Sequence, residues 1–197
     1  MAKTVRFDYQ HPSLGCFLFI KENISKMLLI LDIDWILTDW KHHYGKDWKV
    51  MKAFWSNDRY VLNVLKTTNL FEDIFCLTWD GTWIWIDISK ARVEKELWIP
   101  VVSTKEKWVK SKYDYVLNHY GNESFIKNNV VYIWDDLADL KIIKDSSWSA
   151  TTKNAPRLVK KYCDFVSEYK WWEWWLADIL LEYMKIKWID VEFLFFN

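Results

Sequence analysis

Asp32 and Asp34 lie two residues apart at the end of the apolar run Leu28-Leu29-Ile30-Leu31, and no other pair in the chain is so well placed for chemistry. On an extended chain, residues i and i+2 point the same way, so the two carboxylates share one side of the backbone. Like charges held this close repel unless a proton or a divalent cation intervenes. Magnesium, which takes oxygen ligands, is the simplest such cation. Two further runs end in polar groups of the same kind: Ile74-Phe75-Cys76-Leu77 closes on Thr78, and Val130-Val131-Tyr132-Ile133 leads to Asp135, Asp136 and Asp139.

The elements that must position these residues follow from hydrophobic period. Apolar runs of strand length without alternation are strands of a parallel sheet covered on both faces, and such sheets bind ligands beyond the strands' carboxyl ends. Between Thr38 and Phe54, two partly apolar arms flank Gly45, which predicts a β-hairpin projecting from the sheet. His42 and His43 are adjacent and so point to opposite faces of it, with no third ligand evident, and are assigned to its surface. Asp58 opens a helix with Val61, Leu62, Val64 and Leu65 on one side. Further helices are expected near 88–97, 108–120 and 176–184, with a short strand at Pro100-Val101-Val102. Strand and helix alternate, so the expected architecture is α/β: a doubly wound, mostly parallel sheet with a hairpin insertion after the first strand.

Composition narrows the class. The 197 residues suit one domain, and 27 basic residues balance 27 acidic ones without a long block of either sign, which argues against a nucleic-acid footprint or a polybasic membrane anchor. A small-molecule partner is expected. No apolar stretch reaches the ~20 residues of a membrane span. Cys16, Cys76 and Cys163 are odd in number and widely spaced, which fits reduced thiols in the cytoplasm.

One anomaly stands out: 16 tryptophans against 4 glycines, where an average chain of this length holds roughly 14 glycines. Tryptophan stands where turns and ligand loops want glycine, as at Trp35 after the first aspartate pair, Trp134 before the second, and the cluster Trp171-Trp172-Glu173-Trp174-Trp175. One hypothesis covers all of these positions: the gene comes from a lineage that reads UGA as glycine and was translated here under a code that reads it as tryptophan. The competing idea is a real aromatic binding surface.

The sequence resembles the haloacid dehalogenase (HAD) superfamily of phosphatases from about Met27 to Met184. With Trp read as Gly, LLILDIDWILTDW is similar to that family's DxDGxLTDG, WVKSK to its GxxxK, and VVYIWDDLADL to its YIGDDxxDL. Within the family the likeness is greatest to the small cap-less members that act on 3-deoxy-D-manno-octulosonate 8-phosphate. The segment from Thr78 to Ile88 is longer than in those phosphatases, Arg59 stands where a glycine is common, and Lys107 replaces a frequent glutamine. The resemblance implies a HAD-like domain over 27–187, preceded by an extension (1–26) and followed by a tail (188–197).

It further implies Asp32 as nucleophile, Asp34 as acid and base, and Thr78 with Lys112 holding the phosphoryl group and its charge. Magnesium is expected on Asp32, the main chain of Asp34, and Asp135. Asp136 and Asp139 then orient the lysine and its loop, and Asp58 and Arg92 lie near the substrate. The expected function is a phosphomonoesterase acting on a small phosphorylated metabolite, assembled as a homotetramer in which the hairpin covers a neighbour's site. The alternatives are a catalytically silent binding or scaffold protein, in which the tryptophans are the working surface, and phosphoryl transfer to an acceptor other than water.

Overall fold

The computed structural model describes residues 27–39, 41, 43–46, 49–81, 83–170 and 173–196, so the extension expected at 1–26 lies outside it. Its centre is a six-stranded sheet made of β1 (Leu28–Leu31), β4 (Asp73–Thr78), β5 (Val101–Ser103), β6 (Val130–Ile133), β7 (Trp148–Thr151) and β8 (Phe165–Val166). The strand order is β5-β4-β1-β6-β7-β8, and every pairing in this sheet is parallel. A separate antiparallel pair, β2 (His43–Tyr44) with β3 (Lys49–Met51), forms the expected hairpin, closed at its base by a bridge between Thr38 and Phe54.

The absence of alternation in β1 has its reason in the layers. Leu29 and Leu31 enter one core cluster while Leu28 and Ile30 enter the other, so all four side chains are buried. The first cluster gathers α1 (Asp58–Thr67), part of α2 (Trp83–Val93) and α7 (Trp175–Ile186). The second gathers α3 (Lys112–Tyr120), α4 (Glu123–Asn129), α5 (Leu140–Asp145) and α6 (Arg157–Tyr162). The short α8 (Val191–Phe196) follows, and Ile189, Val191 and Leu194 pack on the first cluster, so the described part of the tail serves the core.

Several expected boundaries shift. The helix expected at 88–97 begins five residues earlier, at Trp83, and ends at Val93. The one expected at 108–120 begins only at Lys112, because Ser111 caps it: its hydroxyl oxygen accepts from the Asp114 N–H at 3.0 Å. Strands β7 and β8 escaped the sequence pattern. They are four and two residues long, and buried Ser149 and Thr151 break the apolar run of β7.

Candidate active site

With β1 central, β4 on one side and β6 on the other, the carboxyl ends of three strands meet at the point where the chain's direction of winding reverses. A cavity of about 620 Å³ opens there, lined among others by Asp32, Asp34, Thr78, Lys112, Asp136 and Asp139. β1 delivers Asp32, whose N–H donates to the Ile133 carbonyl at 3.3 Å and so extends the register of β1 on β6 by one residue. The chain then turns tightly, with the Leu37 and Thr38 N–H groups donating to the Ile33 carbonyl, and this leaves Asp34 on the cavity side.

The floor is a buried ionic cluster. Lys112 Nζ lies 2.6 Å from Asp32 Oδ1 and 3.3 Å from Asp139 Oδ2, and its side chain is 2% exposed. A cation in the first turn of a helix opposes the helix dipole, so the two carboxylates compensate both that placement and the lysine's burial. Tyr132 donates its hydroxyl to Asp139 at 3.0 Å. Burial pushes the Asp32 carboxyl well above the usual carboxylate range; Lys112 opposes the rise and Asp34 adds to it. Asp139 is raised by burial as well, with Lys112 and Tyr132 pulling it back.

Asp135 sits beside this cluster. Burial first, and then the charge of Asp136, pushes its carboxyl up to about 8. Its Oδ1 is buried without a hydrogen-bond partner among the described residues. A buried oxygen without a donor, near other acids, fits a cation as its missing partner. Among the described residues no three His, Cys, Asp or Glu side chains converge as a ready-made metal cluster. The expected set does not require one, since it uses two carboxylates and a main-chain carbonyl. Asp136 accepts from the Leu137 N–H and so caps the 3-10 turn Leu137–Asp139.

On the opposite wall, Thr78 ends β4, its hydroxyl 3.4 Å from Asp34 Oδ2 and accepting from the Asp80 N–H at 3.1 Å. Asp34 Oδ1 is held at 2.8 Å by Lys52. Neither Lys52 nor Tyr132 was expected from the sequence. The one available signal was Tyr132 as the sole polar group in an otherwise aliphatic strand.

Asp58 and Arg92 do not line the cavity. Asp58 is buried at the start of α1 and pushed up to about 8 by burial, with Arg92 opposing the rise. Arg92 donates to the Glu96 carboxylate and to the Trp55 carbonyl. His43 lies 3.8 Å from Asp39 on the hairpin side, and His42 lies outside the described residues.

No protein-family model matches the sequence, and neither does any curated protein. Solved structures do. The 3-deoxy-D-manno-octulosonate 8-phosphate phosphatase of Moraxella catarrhalis, in complex with magnesium, phosphate and KDO, superposes with a TM-score of 0.69 at 19% identity, over 94% of this chain and 100% of that one. The cobalt-bound deoxy-D-mannose-octulosonate 8-phosphate phosphatase of Haemophilus influenzae gives 0.66 at 20% identity, over 87% and 98%. The corresponding Yersinia pestis phosphatase gives 0.63 at 22% identity, over 80% of each chain. The fold is that of the HAD-family hydrolases. In this chain, as the sequence led one to expect, the sheet is doubly wound and a hairpin follows the first strand.

The tryptophans divide into two groups. Six non-glycine residues among those described have positive φ, and five of them are tryptophan: Trp35 (70°), Trp98 (55°), Trp108 (56°), Trp174 (68°) and Trp188 (59°). Three are almost fully in solvent, with Trp108 94%, Trp188 93% and Trp98 80% exposed. Gly121 adopts the same half of conformational space, with φ 94°, as the cap that ends α3. Others are buried: Trp134 covers Lys112 with its ring and donates from Nε1 to the Asp136 carbonyl.

Proposed function

We propose that this chain is a magnesium-dependent phosphomonoesterase of the cytoplasm, acting on a small phosphorylated metabolite such as a sugar or sugar-acid phosphate. The observation that carries the reading is the Asp32–Lys112–Asp139 cluster at the floor of a cavity that Asp34 and Thr78 also line. In this reading an Asp32 oxygen bonds to phosphorus as the bond from phosphorus to the alcohol oxygen breaks, and Asp34 gives that oxygen a proton. Asp34 then takes a proton from the water that attacks the aspartyl-phosphate, which releases phosphate and restores the Asp32 carboxylate. Lys112 neutralises charge on Asp32 and on the phosphoryl oxygens, and the Thr78 hydroxyl holds one of them. Asp32, Asp135 and the Asp34 carbonyl would hold magnesium, which supplies charge neutralisation when bound.

The named relatives, one solved with magnesium and one with cobalt, support a divalent metal and a phosphorylated sugar acid as the first substrate to try. Exposed Tyr44, Val50 and Met51 on the hairpin support its role as a contact in a homotetramer. Asp136 keeps its place as a support of the loop. Asp58 and Arg92 stay as residues to be tested for an effect on KM.

The tryptophans belong to the same proposal. Residues with a Cβ occupy the left-handed region at a cost of about 1–2 kcal/mol, so five tryptophans there mark positions suited to glycine. This supports a gene in which UGA encodes glycine. Glycine at 35, 79 and 134 would also open the cavity, whose lining includes Trp35, Trp79 and Trp134.

The test is phosphate release with magnesium from a panel of sugar phosphates. It compares the chain as it stands, the chain carrying Trp35→Gly, Trp79→Gly, Trp108→Gly and Trp134→Gly, and each with Asp32→Asn. Release abolished by Asp32→Asn is expected. No release from a folded protein of either kind turns the reading to the silent binding protein. Recovery of a labelled acceptor phosphate in place of inorganic phosphate turns it to a phosphotransferase. Peptide masses from the native host settle residue 108, and tryptophan found there ends the recoding idea.

A further inference from the structure

Among the described residues, Lys52 is the one cation besides Lys112 that is buried against an acid of the site. It follows β3 directly, and its side chain is 2% exposed. Its Nζ lies 2.8 Å from Asp34 Oδ1 and donates to Ser89 Oγ on α2, also at 2.8 Å, above the ring of Trp85. Ser89 is itself fixed, since its hydroxyl donates to the Trp85 carbonyl at 3.2 Å. A lysine gives up a large hydration energy on burial, and a flexible four-carbon stem loses its freedom when held at both ends. Such a placement is sustained by the pairing it makes, and here the partner is the carboxylate read as acid and base.

We propose that Lys52 is a positioning residue for Asp34: by holding Oδ1 between the hairpin and α2, it leaves Oδ2, near Thr78, as the oxygen that meets the leaving alcohol. The proposal rests on the reading of Asp34 given above. Asp34 lies in the turn after β1 and is 28% exposed at its side chain, so without a fixed partner its carboxylate is free to rotate into solvent. Lys52 reaches Asp34 on one side and Thr78 reaches it on the other, at 2.8 and 3.4 Å, which defines one rotamer. The hairpin is thereby joined to the acid, so that whatever orders β3 also orders Asp34.

A group that acts only through the general acid matters most when the leaving group is poor. The test therefore compares Lys52→Met, Lys52→Arg and Ser89→Ala with the unaltered residues, in the form of the chain that releases phosphate. Each is assayed on a sugar phosphate, whose alcohol needs a proton, and on p-nitrophenyl phosphate, whose phenolate does not. The expected result for Lys52→Met is a fall in kcat of at least about 10-fold on the sugar phosphate, with KM within about twofold and p-nitrophenyl phosphate nearly unaffected. Lys52→Arg recovers part of the loss, and Ser89→Ala shows a smaller loss of the same pattern. An equal loss on both substrates, or none on either, overturns the proposal. Phosphate release absent before any change at Lys52 is a failure of the phosphatase reading instead. In that case thermal denaturation decides the pairing: Lys52→Met with Asp34→Asn should melt no lower than Lys52→Met alone, and simple additivity of the two losses overturns it.

Discussion

The floor and the rim of the cavity are built on opposite terms. On the floor, each buried charge has a partner of fitting chemistry: Lys112 between Asp32 and Asp139, Tyr132 donating to Asp139. On the rim and the outer loops, Trp35, Trp98, Trp108, Trp174 and Trp188 take a backbone conformation that suits glycine, and three of them hold an indole out in water. The floor's residue types explain its geometry. The rim's geometry would be explained by a residue type other than the one present. Local strain at functional loops is ordinary in itself, but here one residue type accounts for nearly all of it, and that is what ties the loops to the composition.

The contrast can be broken most severely at the floor. Lys112→Met leaves Asp32 and Asp139 buried without their cation, and breaking a buried pair from one side costs about 3–5 kcal/mol; urea denaturation should show a loss of that size, together with loss of phosphate release. A loss under about 1 kcal/mol would mean that the cluster is open to water.

Asp58 is a buried acid without such a lysine, and it sharpens the comparison through pH. Its carboxyl is pushed up to about 8 in the folded chain, mainly by burial, while in the unfolded chain it has the ordinary value. Between those two values the folded state holds the extra proton, so this group makes stability fall as pH rises towards and through 8. Asp58→Asn removes that dependence, and its melting temperature should gain on the parent from pH 5 to pH 9. A constant difference across that range would show that Asp58 is ionised throughout.

Tyr132→Phe removes one donor from the floor and keeps the ring packed. The expected loss is about 1–3 kcal/mol, with a smaller effect on phosphate release than Lys112→Met. The mildest change is at the rim. Trp108→Gly relieves the left-handed strain, offset by glycine's greater freedom when unfolded, for a gain of about 0.5–1 kcal/mol. Trp108→Ala removes the indole and keeps a Cβ, so it should not share that gain. If both variants were equally stable, strain at this position would be ruled out as the cause.

How much of this was legible in the sequence varies from residue to residue. β1 and β6 were legible because each is a run of four buried, largely aliphatic residues without polar alternation. The hairpin was legible from Gly45 between two arms. α4 was missed because seven residues, ESFIKNN, contain too few apolar positions to show a period. The start of α2 was missed because Trp83-Ile84-Trp85-Ile86 lacks the polar positions that mark a helix face. Asp32 and Asp34 were identified by spacing, while Lys112 entered only through the resemblance, since one lysine in a helix carries no signal of its own.

By itself the sequence determined what is local: the buried strands, the shared side of Asp32 and Asp34, and the conformational oddity of the tryptophans. These depend on backbone sterics and on periods of two and 3.6 residues, which act within a few neighbours. The tertiary structure alone decided the contacts between distant segments. Lys112 meets Asp32 across 80 residues, and Lys52 meets Ser89 across 37. Such meetings follow from the strand order, which sets the ends of β4 and β6 on either side of β1 and brings the hairpin onto α2. That order lets both faces of the sheet bury apolar side chains under helices drawn from distant parts of the chain, and no window of residues contains it.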